Sequence, residues 1–208
     1  MCSSPLLYII DYGSGNLRSV QKAFEHVGAH AEVGADIRRI RDARGLVLPG
    51  VGAFGPAITE IEARGLTEPI RERVAAGVPF LGVCLGLQLL FERSEEDPGV
   101  PGLGILQGDV RLLPPGMKVP HIGWNQVDLV QDCDLFDGIP DGTAFYFVHS
   151  YVVVPARPAD VLTTTEYGVT FTSGVALDNL AAFQFHPEKS STLGLRLYEN
   201  FARRAYGA

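Results

Sequence analysis

Three short segments of this 208-residue sequence carry residue types and spacings suited to covalent catalysis. Gly82-Val83-Cys84-Leu85-Gly86 is a G-x-C-x-G at the join between an apolar run and a helical one. It has the form of a nucleophile elbow with sulfur in place of oxygen, the flanking glycines making room for a sharp turn that projects the side chain. A helix beginning at Leu85 would set its partial positive end beside the sulfur and favour thiolate. A buried structural cysteine is the plainer alternative for an isolated Cys in an apolar run. A thiol nucleophile needs a base, and the base needs an orienting acceptor. His186 arrives with one, in Gln184-Phe185-His186-Pro187-Glu188. Pro187 biases His186 toward extended geometry, which would put the side chains of His186 and Glu188 on the same side. His26 and His30 are spaced i, i+4, but Gly28 between them should end the helix, which argues against a metal pair. His121 and His149 have no carboxylate beside them and fit a supporting or a core position equally well.

The third segment, Pro49-Gly50-Val51-Gly52-Ala53-Phe54-Gly55, follows the apolar strand Leu46 to Leu48. It should therefore lie at the carboxyl edge of a sheet, where α/β proteins place their ligands. Backbone N–H groups there, with that of Leu85, could hold the oxyanion of a tetrahedral intermediate. A phosphate loop is the rival, but no G-K-[ST] follows. Gly13-Ser14-Gly15 after the first strand raises a dinucleotide site, and fails because Arg18 stands where Gly or Ala is required.

The elements that must position these segments read as alternating strand and helix in the first half. Leu6 to Ile10 is an apolar strand, Asn16 to Val27 has helical apolar spacing and stops at Gly28, Ala29 to Val33 is a weaker strand, and Pro79 to Val83 leads into a helix from Leu85 to Phe91. Such alternation implies parallel strands with covering helices. The second half changes character. Trp124 to Val130, Phe145 to Val154, Val161 to Thr165, Val169 to Ala176 and Leu180 to Phe185 look like successive strands, and Thr192 to Tyr206 closes the chain as a helix. With no repeat and no Pro/Gly/Ser linker, residues 1–208 read as a single α/β domain whose mostly parallel central sheet is extended by antiparallel strands.

Composition excludes several classes. Lys and Arg number 17 against 24 Asp and Glu, a net charge of −7 without basic blocks, which argues against nucleic-acid binding. Hydrophobic residues at 46% with 20% charged can build a sizeable core and exclude disorder. Val74 to Phe91 runs without a charge, but Gly77-Val78-Pro79, Gly82, Gly86 and Gln88 break it into turn, strand and helix, so no membrane span is expected. Cys2, Cys84 and Cys133 are odd in number and far apart, against a disulfide framework and for a reducing compartment. The N-terminal residues lack a secretory pattern, and a cytoplasmic location is expected. Cys133 lies between Asp132 and Asp134, whose charge disfavours its thiolate. Glycine, 24 residues, is well above the usual roughly 7%, and eight of these fall in the motifs named here and below.

Taken together, Gly82 to Gly86, His186-Pro187-Glu188 and Pro49 to Gly52 resemble the class I (triad-type) glutamine amidotransferases. Within that family, Asp11 to Leu17, Leu48 to Phe54, His121-Ile122-Gly123-Trp124-Asn125, Tyr146 to Tyr151 and Phe183 to Ser190 resemble the glutaminase subunits of imidazole glycerol phosphate synthases. Departures are small: Leu87 where Met is frequent, and Phe183 where a smaller residue is usual. The resemblance implies a three-layer flavodoxin-like fold and glutamine as substrate, with Cys84 attacking the side-chain amide, His186 as acid and base, and Glu188 holding His186. It implies a glutamine and oxyanion site at Gly50, Val51, Gly52 and Leu85, with Gln88, His149, Ser150 and Tyr151 lining the substrate. Helix packing for Gln88 and sheet pairing for Ser150 are the plainer alternatives. No metal and no organic cofactor is implied. The implied partner is a (β/α)8-barrel cyclase of histidine biosynthesis that consumes the ammonia, with Asn16, Trp124, Asn125, Tyr146 and Lys189 near it. Trp124 as core and Lys189 as a solvated charge are the alternatives. The resemblance also implies an oxyanion loop poorly poised until the synthase site is occupied, and Gly50 and Gly52 beside Val51 would let one peptide rotate there. An amidotransferase of another pathway and a stand-alone cysteine amidohydrolase are the competing functions.

Overall fold

Short apolar runs bounded by turns form strands that are buried on both faces, as a parallel sheet between helices requires. The computed structural model describes residues 7–207; Cys2 and the start of the first expected strand at Leu6 lie outside them. In the first half, strands β1 (Leu7–Ile10), β2 (Ala31–Gly34), β3 (Gly45–Gly50) and β4 (Phe80–Cys84) alternate with helices α1 (Leu17–His26), α2 (Ile37–Asp42), α3 (Phe54–Ala63) and α4 (Thr67–Ala75). Next come α5 (Leu85–Gln88), β5 (Arg93–Ser94), β6 (Gly108–Leu112), β7 (His121–Leu129), β8 (Thr143–His149) and β9 (Tyr151–Pro155). The chain closes with β10 (Val161–Glu166), β11 (Thr170–Leu177), β12 (Leu180–Phe183) and α6 (Ser191–Tyr206).

The main path of the sheet is β2-β1-β3-β4-β12-β11-β10-β7-β8. Strands β2, β1, β3, β4 and β12 are mutually parallel, and β11, β10, β7 and β8 continue antiparallel. Alternate residues serve two cores. Leu7, Ile9, Val47, Leu81 and Val83 face the side covered by α1 and α6, where Phe24 lies 4.7 Å from Tyr198 between ring centroids. Ile10, Leu46, Leu48 and Phe80 face the other side, with Ile40, Ile58, Ile61 and Ile70 of α2, α3 and α4. The result is the expected three-layer α/β arrangement. No helix among the described residues is long and apolar enough to cross a membrane.

Two expected elements differ. The helix expected over Leu85 to Phe91 stops as α5 after Gln88, where the bonding tightens by one residue, Leu90 N to Leu87 O and Phe91 N to Gln88 O, and a distant loop docks on the carbonyls that follow, with Leu103 N donating to Leu89 O and Ile105 N and Leu106 N to Leu90 O. The run Phe145 to Val154 is two strands. It pairs with β7 as β8 up to His149, then, past Ser150, with β6 and β11 as β9.

Candidate active site

The carboxyl ends of three neighbouring strands, β3, β4 and β12, supply the three segments singled out by their sequence. Gly50 pairs with Cys84 across β3 and β4, and Phe183 pairs with Val83 across β12 and β4. Cys84 has φ 54 and ψ −110, the left-handed strain expected of an elbow, where a non-glycine residue persists only if its surroundings force it. The glycines beside it are needed for close approach. A Cβ on Gly86 would run into the Leu48 carbonyl, and one on Gly82 would lie 2.8 Å from Ala182 Cβ. Since α5 is only four residues long, the helix dipole at Cys84 is weaker than a full helix would provide.

His186 Nδ1 lies 2.9 Å from Glu188 Oε1. His186 is extended as expected, with φ −106 and ψ 95, but Pro187–Lys189 is a 3-10 turn, and this turn rather than strand alternation folds Glu188 back onto the imidazole. The Glu188 side chain is 1% exposed, so its charge depends on buried donors. Tyr198 Oη donates to Oε2 at 3.2 Å and Asn16 Nδ2 to Oε1 at 3.5 Å. Burial would raise the Glu188 carboxyl pKa, but the His186 hydrogen bond and charge outweigh it and hold it below the usual value. Burial likewise works against imidazolium, yet Cys84 and Glu188 prevail and push the pKa of His186 up to about 10. Because Nδ1 is committed to Glu188, Nε2 is the nitrogen left to act; it is buried with no hydrogen-bond partner among the described residues.

A cleft of about 360 Å³ opens over these groups. Cys84, Leu85, Gln88 and His186 line one side of it, Val51 and Gly52 another, and His149, Ser150 and Tyr151 a third. Gly50 and Glu188 sit behind the wall, supporting Val51 and His186. Gly50 owes its identity to crowding: a Cβ there would be 2.5 Å from the Tyr12 hydroxyl and 2.8 Å from Leu85 Cβ. Backbone freedom belongs to Gly52 alone, with φ +100, so the expected pair of permissive glycines reduces to one. The Val51 carbonyl accepts from Ser14 Oγ at 2.7 Å. Beyond the loop, Glu96 Oε2 accepts from Phe54 N at 2.9 Å and Asp97 Oδ2 from Gly55 N at 2.8 Å, capping the start of α3.

The third wall is held by a directed row of hydrogen bonds. His149 Nδ1 donates to the Tyr151 carbonyl at 3.0 Å, which leaves Nε2 as acceptor for His121 Nδ1, also at 3.0 Å. His121 Nε2 in turn accepts from Asn125 Nδ2 at 3.4 Å. Burial dominates His149 and pushes its pKa down to about 3, so it is neutral at physiological pH. Of the residues expected near a partner, Trp124 and Tyr146 face each other across β7 and β8, 6.3 Å between centroids, and Lys189 Nζ stands 5.7 Å above the Tyr146 ring. Exposed Ile122 extends this patch. Asn125 is not part of it: strand alternation turns its side chain to the opposite face, onto His121 and the Glu166 carbonyl. Glu96, Gln184 and Tyr198 are site groups that sequence reasoning did not single out; only Gln184, inside the His186 motif, carried any local signal. Among the described residues no three His, Cys, Asp or Glu side chains converge as metal ligands.

A mixed α/β sheet with Cys84, His186 and Glu188 at the carboxyl edge of its parallel strands is the arrangement expected of a triad amidotransferase, and the family of class-I glutamine amidotransferases matches residues 8–205. The subunit HisH of imidazole glycerol phosphate synthase from Aquifex aeolicus is 54% identical over 95% of this chain and 96% of its own. Those from Moorella thermoacetica (54%, 93% of this chain and 92% of its own) and Methanothermobacter thermautotrophicus (50%, 94% and 97%) are similar. This chain belongs to the class-I glutamine amidotransferases and, within them, to the HisH family. The fold is shared more widely: a crystal structure of a glutamine amidotransferase superposes with a TM-score of 0.74 at 21% identity over 97% of this chain and 99% of that one. The PurLQS structure from Thermotoga maritima gives 0.73 at 17% over 99% of each.

Proposed function

We propose that residues 1–208 act as one amidotransferase domain, the glutaminase subunit of an imidazole glycerol phosphate synthase in histidine biosynthesis, with Cys84, His186 and Glu188 as its triad. The observation that carries the residue assignment is the meeting of Cys84, His186 and the Val51–Gly52 loop on one cleft. His186 rests as imidazolium, in keeping with its raised pKa, and Cys84 attacks as the thiolate. The thiolate adds to the side-chain amide carbon of glutamine, and the carbonyl π pair moves onto oxygen. The N–H of Leu85, at the start of α5 where helical amides lack intrahelical acceptors, and the loop amides of Val51 and Gly52 receive that oxyanion. Collapse expels nitrogen as ammonia with the proton of His186 Nε2, leaving a γ-glutamyl thioester. Neutral His186 then removes a proton from water, whose oxygen attacks the thioester and releases glutamate and the Cys84 thiolate. Glu188 keeps Nδ1 protonated so that Nε2 does both transfers. Gln88 spends both amide hydrogens on Tyr151 O and Gln184 Oε1, so its own oxygen is the atom offered to substrate.

Free ammonia would be protonated in neutral water and lost as a nucleophile, which favours delivery inside a complex. The partner in this reading is a (β/α)8-barrel cyclase seated on the Ile122, Trp124, Tyr146 and Lys189 patch, with Asn16 nearby. The test is glutamate release by this chain alone, with the cyclase subunit, and with the cyclase plus its nucleotide ligand. Strong dependence on the last two supports the reading, and equal rates throughout overturn it. Cys84→Ala should abolish glutamine use while the complex still works with ammonium salt.

A further inference from the structure

Cys84 has a polar neighbour outside the triad. Gln184, fully buried at the end of β12, sets Nε2 3.7 Å from Cys84 Sγ, while its Oε1 accepts from Gln88 Nε2 at 3.0 Å. The surroundings dictate which end of the amide is which. Gln88 Nε2 also reaches the Tyr151 carbonyl at 3.1 Å, and a carbonyl only accepts, so the amino end of Gln88 has to be there. The Gln184 atom beside that same nitrogen is therefore oxygen, and nitrogen is left facing the sulfur. The Gln184 main chain is pinned as well, its N–H donating to Ser173 O at 2.8 Å.

We infer that Gln184 is a further catalytic residue of this glutaminase: its side-chain N–H donates to Cys84 Sγ whenever the sulfur is anionic, before attack and again when the thioester breaks. The inference rests on the reading of Cys84 as nucleophile. The protonated thiol has a separate partner, since Sγ can donate to the Val148 carbonyl at 3.9 Å. Sulfur thus finds an acceptor for its proton on β8 and a donor for its lone pairs at the end of β12. On attack a sulfur electron pair becomes the S–C bond and the charge leaves Gln184; when water cleaves that bond the pair returns to sulfur and the N–H receives it. Gln184 exchanges no proton, so His186 remains the sole acid and base. Hydrogen bonds to charged groups carry more weight than neutral ones, and more so away from water.

The experiment uses the full chain in complex with its cyclase subunit. Gln184→Glu keeps the shape and the acceptor toward Gln88 but removes the donor; Gln184→Met removes the donor without adding charge. Both should slow iodoacetamide alkylation of Cys84 near neutral pH by about tenfold or more, move the midpoint of its pH profile upward, and lower kcat for glutamine; KM should stay within about threefold in Gln184→Glu, which keeps the acceptor that holds Gln88. Ammonium-dependent synthesis should stay at the wild-type level, reporting an intact complex. Wild-type alkylation profile and turnover in Gln184→Met would overturn the inference. If neither variant folds, the side-chain amide signal of Gln184 in the wild-type complex decides by NMR: it shifts with the same pH midpoint as the alkylation rate, or the inference fails. Cys84→Ala separates the two levels, because glutamine turnover surviving that change sinks the nucleophile assignment itself.

Discussion

Gly50 and Cys84 are register partners at the ends of adjacent parallel strands, so the Val51–Gly52 loop and the elbow at Cys84 leave the sheet side by side. The elbow can turn there only because Gly50 has no side chain to meet Leu85. Gly50→Ala should therefore cost about 1–3 kcal/mol of stability from overpacking. Urea denaturation measures that loss, and glutamine turnover should fall with it while the ammonium-driven reaction of the complex survives. An unchanged denaturation midpoint would contradict the packing argument.

Glu188→Gln removes the charge behind His186. Loss of the orienting carboxylate should lower glutamine turnover about 10²- to 10⁴-fold. The wild-type pair also ties stability to pH in two directions. His186, raised to about 10, contributes stability that is fully present below the ordinary imidazole value of about 6.5 and is lost as pH climbs through 10. Glu188, held low, contributes stability present above about 4.5 that is lost as acid protonates it. Denaturation midpoints across this range should show both arms in the wild type, with the acid arm absent and the alkaline arm reduced in Glu188→Gln.

His149 behaves oppositely to His186. Its folded pKa of about 3 lies below the ordinary value, so unfolded chains take up its proton first and stability should fall from about pH 6.5 toward 3. His149→Phe should flatten that segment of the stability profile. It also frees the Tyr151 carbonyl, and KM for glutamine should rise about tenfold. A wild-type KM would mean that the His149 bond does not shape the substrate wall.

Trp124→Ala should weaken association with the cyclase by about 2 kcal/mol, as for a central aromatic contact, and leave the melting temperature of the isolated chain unchanged. Calorimetric titration and a thermal melt read these two quantities. Undiminished affinity would place the partner elsewhere.

The candidate site is legible because it is carried by local patterns: the elbow at Cys84, the acceptor near His186 and the glycine loop each announce themselves in a few residues, and the three meet at one cleft. Strands β1, β3 and β4 are equally plain as apolar runs, while β2, which carries Glu32, is weaker. What sequence could not express was competition for backbone groups. The helix after Cys84 has good apolar composition through Phe91, yet its last turn tightens to Leu90 N–Leu87 O and Phe91 N–Gln88 O bonds where a loop docks on the Leu89 and Leu90 carbonyls. The Phe145 to Val154 run keeps its β-forming residues while exchanging sheet neighbours at Ser150. Helices α3 and α4 had no clear signature, since α4 mixes charges along its length and α3 starts from the glycine loop and takes its caps from Glu96 and Asp97. Asn125 shows the same limit at the level of a single side chain: adjacency to Trp124 in sequence means opposite faces in a strand.

The change of sheet partner at Ser150 has a mechanical meaning. The hairpin strand bearing Tyr146 and the wall formed by His149, Ser150 and Tyr151 are one uninterrupted stretch of backbone, anchored on both sides of the joint. The exposed face at Tyr146 and the cleft residues beyond Ser150 are thereby joined along the main chain itself, with the change of sheet partner as the joint between them.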